Sequence, residues 1–408
     1  MNKKNYCIIG TGVAAVNAAK AIRDQDKEGN ILLFGTENTL PYNRIKLSKE
    51  LFSNLSSEKV LIKKEKWYEA QNIQLFPNTT IKRIDIKDHS VITTTGETIY
   101  YDKLLICTGA KNRRLPVAGV EKQGVFSIRE MHEAEDFKAF IEEKTSIVNI
   151  GGGIQGLETA WSILKAGKKV SIVEAAPRLM ARQLDEKTST LLKNKIKEAG
   201  VDVYLNATIK QIVGGNKVEE LHLEDQIISC DSIIYSIGVI PNIDLIENSL
   251  IQSNRGIIVN GRMETSAKDV YAAGDVTEWN GEVEGLWGRA MEQGKVAGKN
   301  MASLHESYQK TIPFSVFNAF NLGLFSIGLV DESQCDTTIT EEDGEEKYTR
   351  IFIKDHKIVG VISLEGVAAS IPYKKAIEDQ VSLVGIDLNN ISVIDLMSKV
   401  KERNTLPV

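Results

Sequence analysis

Two glycine-rich turns carry the clearest chemistry in this chain. Gly10-Thr11-Gly12-Val13-Ala14-Ala15 follows the apolar run Tyr6-Cys7-Ile8-Ile9, and Gly151-Gly152-Gly153-Ile154-Gln155-Gly156 follows Ser146-Ile147-Val148-Asn149-Ile150. Each stands where a short β-branched strand passes into an amphipathic helix, the setting a dinucleotide site requires. Glycine lets the backbone turn tightly and approach a pyrophosphate, while the helix start offers free N–H groups and a positive dipole end. One such turn is equally a plain strand–helix connection. Two in one chain imply two dinucleotides that face one another.

The residues downstream refine this. After the second turn a helix is expected over 157–166 and a strand over 169–173, ending in Glu174. A carboxylate there accepts from both ribose hydroxyls and repels a 2′-phosphate, and Ala175-Ala176-Pro177 separate it from Arg178, so the second site reads as NADH rather than NADPH. After the first turn a helix over 13–26 and a strand over 31–34 lead to Glu37, a candidate ribose acceptor. Its offset is slightly late, because Gly35 occupies the usual acidic position.

Composition narrows the classes. The 408 residues suffice for two or three domains, and 42% hydrophobic with 26% charged residues is an ordinary globular balance. A net charge of −5 argues against a nucleic-acid partner and gives no membrane-binding signal. No apolar run approaches the roughly 20 residues of a membrane helix. The run 6–9 is too short for a signal-peptide core, so the cytoplasm is the expected compartment. Cys7, Cys107, Cys230 and Cys335 are scattered, with no C-x-x-C and no metal-ligand spacing to the five histidines. No metal site is expected, and the first three thiols fall in or beside strands, as buried structural cysteines do.

The chain reads as an interrupted layout. A first nucleotide unit spans 1–112 and resumes over 238–304, a second spans 113–237, and residues 305–408 form a third piece of hairpin-spaced strands and helices. The strand 232–238 echoes the strand 104–109, an internal duplication at the level of fold. The fold class is therefore α/β: two Rossmann-like units, the second inserted in the first, plus an α+β C-terminal domain.

These motifs resemble the two-dinucleotide flavoprotein reductases related to glutathione reductase over nearly the whole chain. The resemblance implies FAD in the first unit and NADH in the second. Gly10, Gly12, Ala14 and Ala15 then receive the FAD pyrophosphate, with Thr108 and Gly109 at the matching strand end. Asp275 in Val270-Tyr271-Ala272-Ala273-Gly274-Asp275 takes the role of the aspartate that bonds the ribityl chain. The NAD side comprises Gly151, Gly153, Ile154, Gln155, Gly156, Glu158, Glu174 and, in Ser236-Ile237-Gly238, Gly238. The redox cysteines of the disulfide reductases are missing. The segment that would hold them, Pro41-Tyr42-Asn43-Arg44-Ile45-Lys46-Leu47-Ser48-Lys49, is instead similar to the rubredoxin and ferredoxin reductases and to the N-terminal part of nitrite reductase large subunits.

That branch implies a Lys49–Glu158 pair where flavin and nicotinamide meet, the catalytic pair of this reading; on residue type alone Lys49 is equally a solvated helix residue and Glu158 a turn cap. Arg44 is a candidate contact to the flavin or its pyrophosphate, or a surface salt bridge. Trp287 borders the isoalloxazine or packs in the core. The helix that begins in Gly285-Leu286-Trp287-Gly288 resembles the one whose start faces the flavin N1/C2=O edge. The expected reaction passes hydride from NADH to FAD and single electrons to a small iron protein, with rubredoxin the expected acceptor and Lys59, Lys63, Lys64, Lys66, Lys111, Arg113 and Arg114 as a candidate docking face. An NADH oxidase making peroxide and a non-enzymatic flavin and NADH sensor are the alternatives, and the oligomeric state is open.

Overall fold

The computed structural model describes residues 3–344, 347–364 and 367–404. Strand Asn5–Ile9 lies at the centre of a five-stranded parallel sheet, in the order Val270–Ala272, Lys103–Ile106, Asn5–Ile9, Asn30–Phe34, Ile73–Phe76. Ile8, Leu33, Leu105 and Ile106 are fully buried. Such near-continuous apolar strands belong to a parallel sheet covered on both faces. The second sheet repeats the scheme in the order Asp202–Tyr204, Lys169–Val173, Ser146–Ile150, Ser232–Tyr235, Val125–Phe126, again all parallel. In both, the strand before the glycine turn has on one side the strand reached by its helix and on the other the closing strand.

Each parallel sheet is accompanied by a three-stranded antiparallel one, Ile81–Asp85 with Ser90–Thr93 and Thr98–Tyr100, and Ile209–Val213 with Glu220–Leu223 and Ile227–Ser229. The chain leaves the first unit along Ala110–Asn112 and returns along Val239–Pro241, and these two segments pair antiparallel. Strand Val270–Ala272 then rejoins the first sheet beside Lys103–Ile106, so the second unit is inserted in the first. The C-terminal sheet is antiparallel, in the order Phe314–Ala319, Leu322–Gly328, Lys357–Ser363, Lys347–Lys354, Thr337–Asp343, with helices Ser370–Glu378 and Val393–Asn404 packed on it.

Local differences from the sequence reading have simple causes. The second glycine-turn helix runs Ile154–Lys165, three residues earlier than expected, because Gly153 is its cap and Gly156 lies inside its first turns. The closing strands stop at Ile106 and Tyr235, where Gly109 and Gly238 with φ of +68° and +100° turn the chain out of the sheet.

Helices Val13–Gln25 and Trp287–Met301 cross at very close range over the first sheet. A Cβ on Gly294 would stand 2.2 Å from the carbonyl oxygen of Ala14, and one on Gly298 2.3 Å from that of Ala18. Gly294→Ala gains up to about 1 kcal/mol of helix propensity, but forcing the helices apart costs about 1–3 kcal/mol. The expected net result is a lower urea midpoint for Gly294→Ala. An unchanged or higher midpoint would show that the two helices have room to separate.

Candidate functional site

The first glycine turn and the start of the helix after the second reach one cleft of about 1120 Å³, lined among others by Gly10, Gly12, Ala14, Glu37, Arg44, Lys49, Thr108, Gly109, Gln155, Glu158, Asp275 and Trp287. At its floor the chain passes from Ile9 through Gly10, whose φ of +116° and an imaginary Cβ 2.2 Å from the Cys107 carbonyl oxygen exclude any side chain. Gly12 caps the following helix with no side-chain hydrogen bond, and nothing lies within 4 Å of where its Cβ would be. The first N–H groups of that helix are left to whatever enters the cleft. Ala15 is fully buried behind this wall.

The second turn has the same geometry. Gly151 has φ +116° and an imaginary Cβ 2.4 Å from the Ser236 carbonyl oxygen, Gly153 faces open space, and a Cβ on Gly156 would meet the Gly151 carbonyl oxygen at 2.1 Å. Ile154, Gln155 and Glu158 of its helix reach the shared cleft, whereas Gly151, Gly153, Gly156, Glu174 and Gly238 lie outside its lining. Glu174 sits against the turn: Gly152 N–H donates to its Oε2 at 2.5 Å and Ala176 N–H to its Oε1 at 2.7 Å. Gly238 works in the crossover, its carbonyl accepting from Arg113 N–H at 2.9 Å.

Lys49 and Glu158 come together from different units. Lys49 ends the short helix Lys46–Lys49 and Glu158 lies on Ile154–Lys165; Lys49 Nζ is 3.1 Å from Glu158 Oε1, with side-chain exposures of 39% and 5%. Ser162 Oγ donates to the Ser48 carbonyl at 2.9 Å and fixes the two helices side by side. Burial pushes the Glu158 carboxyl up to about 7, against the opposing pull of Lys49. The contact is an ion pair without hydrogen-bond alignment, so Oε1 is a buried acceptor with no hydrogen-bond donor.

Glu37 and Arg44 pair with each other. Arg44 Nη2 donates to Glu37 Oε1 at 2.6 Å, while Tyr42 OH and Met131 N–H donate to Oε2 at 2.7 and 3.1 Å. Both Glu37 oxygens therefore have protein donors. Arg44 Nη1 also reaches the Arg129 carbonyl at 2.7 Å. Arg129, absent from the sequence reading, lines the cleft and donates through Nη2 to Asp275 Oδ2 at 2.7 Å. It stands just past the carboxyl end of parallel strand Val125–Phe126, where ligands of α/β sheets bind, but that strand is only two residues long and is not named by the sequence reading. Thr108 Oγ1 donates to the Asn242 carbonyl at 2.8 Å, Gln155 Nε2 to that of Ile128 at 3.1 Å, and Trp287 both lines the cleft and packs on the first core. Phe314, Ser315 and Val316 of the C-terminal sheet also reach the cleft.

A family model for pyridine nucleotide-disulphide oxidoreductases matches residues 4–297, and one for the rubredoxin NAD+ reductase C-terminal domain matches residues 313–381. The chain belongs to the pyridine nucleotide-disulphide oxidoreductase family. It is 32% identical over 396 residues to an NADH-rubredoxin oxidoreductase of Clostridium acetobutylicum, covering 96% of this chain and 100% of that one. It is 34% identical over 368 residues to a nitrite reductase [NAD(P)H] of Bacillus subtilis, covering 89% of this chain and 46% of the relative, so it spans about half that protein. The putidaredoxin reductase of a covalent complex with putidaredoxin superposes with a TM-score of 0.86 at 26% identity, covering 98% of this chain and 99% of that one.

Within a family named for disulphide chemistry, the thiols here are poorly placed for it. Cys7, Cys107 and Cys230 are buried, and burial pushes the Cys230 thiol up to about 12 and those of Cys7 and Cys107 further. Cys107 alone among the described cysteines lines the cleft, and a protonated thiol is a weak nucleophile. Among the described residues no cluster of three or more His, Cys, Asp or Glu could hold a metal ion, and no helix is long and apolar enough to cross a membrane.

Glu158 has a measurable linkage. A carboxyl raised from 4.5 to about 7 binds its proton more tightly folded than unfolded, so its contribution to stability falls as pH rises from about 4.5 to 7. The span corresponds to about 3 kcal/mol. The unfolding free energy of wild type relative to Glu158→Gln is therefore expected to drop between pH 5 and 8. A flat difference across that range would contradict the buried, proton-holding carboxyl.

Proposed function

We propose that this chain is an NADH-dependent flavoprotein reductase that delivers electrons to a small iron protein such as rubredoxin. The observation that carries the reading is the Lys49–Glu158 pair. It sits in one cleft between the first glycine turn and the helix that follows the second, with a buried carboxylate oxygen that has no hydrogen-bond donor. The donor set suits FAD: the uncapped helix start at Gly12 fits a pyrophosphate, and Asp275, oriented by Arg129, presents a carboxylate to a polyol. Bound FAD would take two electrons from NADH and release them one at a time.

The chain's own residues then have distinct tasks. In this reading residues 1–112 and 238–304 hold FAD, 113–237 hold NADH, and 305–408 form the C-terminal domain. Gly151, Gly153 and Gly156 open the second helix start to the NADH pyrophosphate, with Glu174 at the ribose. Lys49 holds Glu158 in place and draws its carboxyl towards the charged form against burial, and Glu158 Oε1 accepts from the nicotinamide carboxamide. Glu37 serves the Arg44 anchor first and the FAD ribose only through remaining lone pairs. Buried cysteines leave the flavin's electrons to an external acceptor. Of the basic docking residues, Lys64 is paired with Glu58 and Lys111 with Asp244, each at 2.6 Å. Such exposed pairs are worth at most about 1 kcal/mol, so an acidic partner displaces them readily. The reading places the protein in the cytoplasm, where NADH is supplied.

The test is anaerobic NADH oxidation by the purified yellow protein with and without rubredoxin, against its oxygen-only rate. Turnover that requires rubredoxin supports the proposal. Flavin that reduces but passes electrons only to oxygen makes the protein an oxidase, and flavin that barely reduces makes it a sensor. Lys49→Met removes the counter-ion of a buried carboxyl; with Lys49 itself more than a third exposed the pair is worth about 1 kcal/mol, so flavin reduction by NADH should slow roughly fivefold with FAD still bound.

A further inference from the structure

The helix Trp287–Met301 begins at Leu286 with no side-chain cap and no acidic residue in its first turn. Its approach and first turn, Gly285, Leu286, Trp287, Gly288 and Ala290, line the cleft. Directly behind that wall is a buried ion pair. Arg289 Nη1 contacts Glu284 Oε1, and the two side chains are 8% and 4% exposed. Tyr308 OH donates to Glu284 Oε2 at 3.0 Å, and Arg289 Nη2 donates to the Thr311 carbonyl at 3.1 Å. Arg289 Nε is buried with no hydrogen-bond partner.

A buried ion pair is by itself a weak source of stability. Desolvating two charges is costly enough that apolar residues of similar volume often serve a fold as well or better. Its position supplies another reason. The uncapped helices that start at Gly12, Gly153 and Leu286 all reach the cleft; in the proposed reading the first two serve the pyrophosphates of FAD and NADH. The third is open to the other negative charge that FAD would bring. That charge arises on reduction: FAD and NADH give anionic FADH− and NAD+, two electrons and one proton moving together as hydride. An unopposed buried arginine one residue from the cleft wall would hold the reduced ring strongly and slow its donation to an iron protein. Glu284 offsets that charge, and Tyr308 and Thr311 fix the offset in place.

We propose that the buried Glu284–Arg289 pair is a positioning and potential-setting device: it fixes the charge of the helix start that faces the reduced flavin, and so sets the reduction potential of bound FAD. This rests on the FAD reading of the cleft. The pair touches neither the Lys49–Glu158 contact nor the two glycine turns.

The experiment is the midpoint potential of FAD bound to the whole protein, by anaerobic dye-coupled titration at pH 9. Glu284→Gln leaves Arg289 unopposed and should raise the reduced-to-oxidised ratio at fixed poise about tenfold, about 30 mV for two electrons. Adding Arg289→Gln should return the potential towards wild type, because the wall is again uncharged. A merely structural role would leave the double variant at least as perturbed as the single one, and that result overturns the proposal. Should Glu284→Gln fail to hold FAD, Arg289→Lys and Arg289→Gln carry the test: the lysine keeps the wild-type potential and the glutamine lowers it, and equal potentials overturn the idea. Wild-type protein that binds no FAD defeats the reading of the cleft. Bound FAD indifferent to the charge at 284 and 289 defeats this inference alone.

Discussion

The carbonyl oxygens of Cys107 and Ser236 press on the two glycine turns, and much of the architecture follows from that contact. Each carbonyl ends a closing strand, and each stands within 2.2 or 2.4 Å of where a side chain on Gly10 or Gly151 would begin. The central and closing strands can lie in adjacent register only if the turn between strand and helix carries no Cβ. The same constraint holds both turns at φ +116°. Two residues on, Gly12 and Gly153 begin the helices without side-chain caps, with nothing within 4 Å of where their Cβ atoms would be, so residue type rather than packing leaves these donor-rich, positively polarised helix ends open.

Much of this was legible in the residues because it depends on short-range rules. Apolar runs such as 31–34, 73–76 and 169–173 name their own strands, and Gly10 and Gly151 mark the only residue type the turn admits. What escaped depends on distant partners. Arg129 lies outside both glycine motifs and acquires its place only when Asp275 is brought to it from 146 positions away. The Glu37 carboxylate looks free in sequence, yet Arg44, Tyr42 and Met131 converge on it once the loop folds back on the inserted unit. The strand Phe314–Ala319 escaped because its alternation is blurred, with Phe314 exposed beside half-buried Ser315 and Val316.

Electrostatics divides the cleft into two regimes. On the Glu37 side the carboxylate has three donors within 3.1 Å, so its charge is fully compensated and its geometry rigid. On the Glu158 side there is one cation, itself half-exposed, and an oxygen without an aligned hydrogen bond. Burial pushes the Glu158 carboxyl up to about 7 against the pull of Lys49. Compensation by several donors makes a structural anchor, whereas under-compensation leaves a group that still has interactions to make. This contrast, more than burial itself, separates Glu37 from Glu158 among the acidic residues that line the cleft.

The C-terminal sheet supports that under-compensated side from behind. Its hairpin turn places Phe320 and Asn321 at φ +54° and +56°, a left-handed conformation that costs a residue with a side chain about 1–2 kcal/mol. The Phe320 ring is 2% exposed and lies 5.0 Å from the Trp161 ring, on the same helix as Glu158. Burying a phenylalanine returns about 1.5–3 kcal/mol, and the aromatic pair adds about 0.5–1.5 kcal/mol, so burial exceeds the conformational cost at that residue. Asp185 makes a second attachment: it caps helix Glu186–Glu198 through Thr188 N–H at 2.8 Å and accepts from Tyr348 OH at 2.7 Å. Both attachments act on the inserted unit rather than on the first one. The C-terminal sheet is therefore fastened to the helix that carries Glu158, the same helix that Ser162 ties to the Lys49 segment through the Ser48 carbonyl.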